Sequence, residues 1–153
     1  EMTLSITNQA QVPAPAGLGW HPYFTKRADS RIAFAAQGRW EMGADKLPTT
    51  RSSTGGLDAD CAVLDIDHCY DGWSGAAVLE DGSLRVRVTS SLTRLVVFTH
   101  PGRDSVAIEP VSHVNNAANL VTAGADPEAL GLRTLAPGES MSAQMSIEVE
   151  RVA

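Results

Sequence analysis

A chain of 153 residues with 43% hydrophobic and 20% charged residues has room for one core, which excludes a disordered segment and a two-domain array. The formal net charge of −6, with Lys and Arg scattered, argues against a nucleic-acid partner, whose phosphates want clustered cations. No apolar run approaches the ~18 residues of a membrane span and no charged-then-apolar leader opens the chain, so a soluble, cytoplasmic protein is expected.

In chain order, Met2-Thr3-Leu4-Ser5-Ile6-Thr7 alternates apolar and polar residues and predicts a half-buried strand that starts without a lead-in. A chain that opens inside a regular strand leads us to expect further sequence before Glu1, and with it partner strands. After the Pro13 and Pro15 break, strands are expected over 31–36, 39–42, 76–79, 84–90, 94–100 and 105–109, separated by Gly, Asp, Asn and Pro. Asp81-Gly82 predicts a hairpin between 76–79 and 84–90. Residues 116–121 are the best helical candidate, short enough to be a single turn or a loop. Pro137-Gly138 then leads into Met141, Ala143, Met145, Ile147 and Val149, which alternate with polar residues as the clearest strand of all. The pattern predicts an all-β, antiparallel β-sandwich occupying residues 1–153 as a single domain or part of one.

Three segments join ionisable residues to aromatics: Gly17-Leu18-Gly19-Trp20-His21-Pro22-Tyr23-Phe24, Asp65 to Trp73, and Val106 to His113. Aromatic faces pack on the apolar side of a pyranose while carboxylate and imidazole groups bond its hydroxyls, so the mixture suits a sugar pocket. Val106-Ala107-Ile108 reads as a buried strand that delivers Glu109 at its end, where a carboxylate needs a reason. Gly17-Leu18-Gly19 lacks the third glycine and the helix of a dinucleotide site and reads as a tight turn. No Gly-x-Ser-x-Gly elbow marks a hydrolase. Cys61 and Cys69 make no disulfide framework and read as reduced structural thiols. His68-Cys69 offers too few ligands for zinc, which takes about four.

The ordered set Gly19-Trp20-His21-Pro22-Tyr23-Phe24, Asp67-His68 before Cys69-Tyr70, and Ile108-Glu109-Pro110 resembles the aldose 1-epimerases (galactose mutarotases). The resemblance covers essentially the whole chain, extending to Asn8 with the Pro13 to Pro15 stretch, to Ala117-Ala118-Asn119-Leu120, and to Leu135 with Pro137-Gly138-Glu139. It implies the C-terminal half of a β-supersandwich whose first half supplies further sugar ligands; no segment here matches that half, which is the expected partner of this chain. It also implies His21 as general acid, Glu109 as general base and Asp67 as a ligand of sugar hydroxyls, with Trp20, Tyr23 and Trp73 as candidate stacking faces. The implied reaction interconverts α and β anomers of a free hexose, with no metal or organic cofactor. Thr25-Lys26 and Asn115-Asn116 depart from the residues many members carry, which bears on sugar preference. Two readings compete with it: a non-catalytic sugar-binding or regulatory domain on the same fold, and a sugar-phosphate epimerase, for which Lys26 and Arg27 are the only cations near a motif.

Overall fold

The computed structural model describes residues 1–152 as two six-stranded antiparallel sheets packed face to face. The first sheet orders β1 (Met2–Thr7), β14 (Ser140–Arg151), β10 (Leu84–Ser90), β9 (Ala76–Glu80), β4 (Arg31–Phe34) and β7 (Leu57–Asp60). The second orders β3 (Tyr23–Thr25), β12 (Ser105–Val111), β11 (Arg94–Thr99), β8 (Ile66–Asp71), β5 (Gly38–Met42) and β6 (Pro48–Ser53). A short ribbon pairs β2 (Ala14–Ala16) with β13 (Arg133–Leu135), and two short helices, α1 (Ala117–Thr122) and α2 (Pro127–Leu130), follow β12.

The sheets are held together by the residues that alternation sends inward. Ile32, Phe34, Ala77, Leu79, Val88 and Met145 of the first sheet meet Tyr70, Leu95, Val97, Val106 and Ile108 of the second. The first sheet's outer face is solvated. There Asp60, Arg31, Glu80, Arg85 and Glu150 lie opposite one another on five successive strands, so each charge faces its opposite across the sheet. The hairpin at Asp81-Gly82 forms as expected, with Asp81 Oδ1 accepting the backbone N–H groups of Ser83 and Leu84.

The second sheet is covered on its outer face as well. Trp40, Cys69 and Val96 pack there against Val114, Ala117 and Leu130 of the α1–α2 segment. This second cover explains why β12 carries consecutive buried residues from Val106 to Pro110 and not an alternation. α1 starts at Asn116, whose φ of 64° is left-handed and whose side chain makes no cap bond.

Two expectations are corrected. All six residues of β1 are exposed, its apolar residues Met2, Leu4 and Ile6 included, because among the described residues this edge strand pairs with β14 alone. The Gly17-Leu18-Gly19 segment is not the tight turn expected. It is a close approach: a Cβ on Gly17 would fall 2.1 Å from the His113 ring, and one on Gly19 3.0 Å from Val111.

Candidate active site

The register of the second sheet builds the site. β12 pairs with β3 so that Ala107 opposes Tyr23, and the pairing runs on through the Ile108 N–H, which donates to the Pro22 carbonyl. One residue further, Glu109 and His21 are neighbours on the outer face. His21 Nε2 lies 3.2 Å from Glu109 Oε1; the imidazole is 58% exposed and the carboxylate 11%. On its other side Glu109 pairs with Val96, which pairs with Cys69.

The adjacent row on the same face reads Tyr23, Ala107, Phe98 and Asp67 across β3, β12, β11 and β8. Tyr23 is 53% exposed, and its ring centroid stands 4.9 Å from that of His21. Asp67 is partly buried, close enough that its negative charge acts on Glu109. The structure therefore brings His21, Glu109, Asp67 and Tyr23 onto one surface. Trp20 is attached to the same segment, its N–H donating to the Pro110 carbonyl, and its indole packs half-buried between two parts of the core.

Trp73 is not brought to this surface. After β8 the chain turns at Gly72, whose φ is 59°, and Trp73 enters the core between the sheets, 3% exposed, with Nε1 donating to the Ala76 carbonyl. A buried indole with its one donor satisfied has no face to offer a sugar. Sequence reading missed Phe98, because Leu95-Val96-Val97-Phe98 reads as one apolar run. The signal is its phase: Leu95 and Val97 enter the core, so Val96 and Phe98 point to the face of Glu109.

Burial out of water pushes the Glu109 carboxyl up to about 7; His21 pulls it down and Asp67 pushes it further up. A buried acid poised near neutrality, touching an exposed imidazole, is equipped to exchange protons with a bound molecule. Among the described residues, no three His, Cys, Asp or Glu side chains converge as metal ligands would.

The family model described as Aldose 1-epimerase matches residues 1–148. The chain belongs to the aldose 1-epimerase family. Among relatives, the uncharacterized protein YphB of Escherichia coli K12 is 29% identical over 168 residues, covering 97% of this chain and 55% of YphB. A crystal structure from Escherichia coli K12 superposes with a TM-score of 0.82 at 27% identity, over 98% of this chain and 55% of that one. A galactose mutarotase-like protein from Clostridium acetobutylicum shares the fold, with a TM-score of 0.84, 21% identity, and coverage of 98% and 52%. The chain thus spans about half the length of the relatives it matches. Among the described residues of this epimerase-family chain, no helix is long and apolar enough to cross a membrane.

Proposed function

We propose that this chain carries the acid–base pair of an aldose 1-epimerase that interconverts the α and β anomers of a free hexose. The observation that carries the reading is the 3.2 Å approach of His21 Nε2 to Glu109 Oε1 on a partly open face. The ring oxygen and the anomeric hydroxyl oxygen of an aldose are bonded to the same carbon, so a donor and an acceptor standing side by side can address both. Glu109 takes the proton from the anomeric hydroxyl while His21, as imidazolium, gives one to the ring oxygen. The C1–O5 bond breaks and the free aldehyde forms. Rotation about C1–C2 presents the other face of the aldehyde, and the two groups reverse roles to close the ring. Asp67 holds ring hydroxyls, and Tyr23 offers a stacking face beside His21.

His21→Asn and Glu109→Gln in the protein test this. Each keeps size and hydrogen bonding but ends proton exchange, and a positioned acid or base contributes roughly 100- to 10,000-fold in rate. We expect each to lose rate on that scale, and the double variant to lose little more, because both protons move in one step. Asp67→Asn should raise KM more than it lowers kcat. The readout is polarimetry of α-glucose and α-galactose, corrected for the spontaneous reaction. Parent-like rates in both single variants would abandon the acid–base assignment in favour of a sugar-binding domain.

A further inference from the structure

The acid and base account for one end of a bound sugar; the same face carries a feature at the other end. Phe98 sits beside Asp67 in the register, and two residues along β11 from Val96, the partner of Glu109. Two residues advance a strand by ~6.6 Å, so Phe98 stands on the row next to that of Glu109, on the side of the β11–β12 turn. The β11–β12 turn folds back so that the Arg103 guanidinium carbon stands 5.2 Å from the centroid of the Phe98 ring.

Arg103 is exposed, and its guanidinium has no carboxylate within 4.0 Å and no hydrogen bond among the described residues. Cations nearby are committed otherwise. Arg27 pairs with Asp81, Lys26 Nζ donates to the His100 carbonyl and the Thr99 hydroxyl, and Arg94 donates to the carbonyls of Ser112 and Ala129. A guanidinium held over an aromatic ring is oriented at small entropic cost and keeps its N–H edge open, the edge that matches two oxygens of a carboxylate or phosphate.

The geometry points to Arg103, braced by Phe98, as the group that recognises an anionic substituent on the sugar carbon remote from the anomeric centre. The inference rests on the proposed function for the placement of the anomeric end. It replaces the neutral free hexose of that reading with an acidic aldose, a uronic acid or a sugar phosphate, both of which present the same oxygen edge.

The test titrates the protein and its Arg103→Gln and Phe98→Leu variants with glucose, glucuronate and glucose 6-phosphate. Binding is followed by calorimetry, and mutarotation is measured separately on the same sugars. We expect the parent to bind at least one anion about tenfold or more tighter than glucose, and Arg103→Gln to reduce that preference roughly 10- to 100-fold, the worth of a charged hydrogen-bonded contact. Phe98→Leu, which removes the brace and keeps the charge, should lose a smaller part. The favoured anion tells carboxylate from phosphate. Equal affinities in the parent, or a preference that survives Arg103→Gln, would overturn the assignment. Anion-selective binding without mutarotation upholds Arg103 and sinks the epimerase reading; mutarotation without anion preference does the reverse.

Discussion

Glu109 keeps its proton at pH values where a glutamate in water has lost it, since burial moves it from 4.5 up to about 7. Between those values the native state binds a proton that the unfolded chain has released, so this group's contribution to stability falls as pH rises through the window and is fully lost above it. Glu109→Gln removes the effect. We expect the variant to be more stable than the parent at pH 8, by on the order of 1–3 kcal/mol, and to lose that advantage near pH 4.5, as thermal melts at both pH values will show. The same residue should set the acid limb of the parent's rate, which rises through about pH 7 as the base ionises. The two thiols behave differently. Burial pushes Cys61 up to about 11 and Cys69 to about 12, so neither offers a thiolate at neutral pH. Both are free and buried. Mass spectrometry should find neither alkylated in the native protein and both alkylated in denaturant without reductant.

At the scale of elements, α2 and the loop before α1 act as a lid of apolar side chains on the sheet that carries the site. Leu130, 1% exposed, packs with Val114, Ala117, Val96 and Cys69. Leu130→Ala should cost about 2–5 kcal/mol, measured by urea unfolding. What the sequence revealed depended on burial. β10 and β14 are half-buried and alternate, so their bounds could be read from the pattern nearly to the residue. β6, Pro48–Ser53, shows no such pattern, and β7, Leu57–Asp60, alternates over only four residues; their strand character is fixed by pairing with β5 and β4. β8 mixes Asp67 and His68 with buried Cys69, Tyr70 and Asp71, and reads as a motif and not as a strand. The site was legible in part for the same reason. His21, Glu109 and Asp67 stood out as ionisable residues among apolar ones, while Phe98 and Arg103 are joined only by a turn that returns over its own strand.

At the scale of the whole molecule, the two sheets share a core but divide the tasks. The first turns a ladder of alternating charge to water; the second carries His21 and Glu109 on a face that the helices cover only in part. Within that second sheet the two groups have unequal support. Glu109 lies on β12, an inner strand buried on both faces, whereas His21 precedes β3, a three-residue edge strand. The bonds nearest His21 are Trp20 N–H to the Pro110 carbonyl at 3.1 Å and Ile108 N–H to the Pro22 carbonyl at 3.3 Å. Edge segments with few bonds open locally at lower free energy than inner strands, which open only with the whole. We therefore expect His21 and Glu109 to belong to different cooperative units, with the edge opening while the sandwich stands. In a urea series, mutarotation should fade at a lower midpoint than tryptophan fluorescence, and the Tyr23 and Phe24 amides should exchange with deuterium well before those of Val96 and Val97, which lie on the inner strand β11. On the proposed function, activity would then be lost by fraying, before the protein is unfolded.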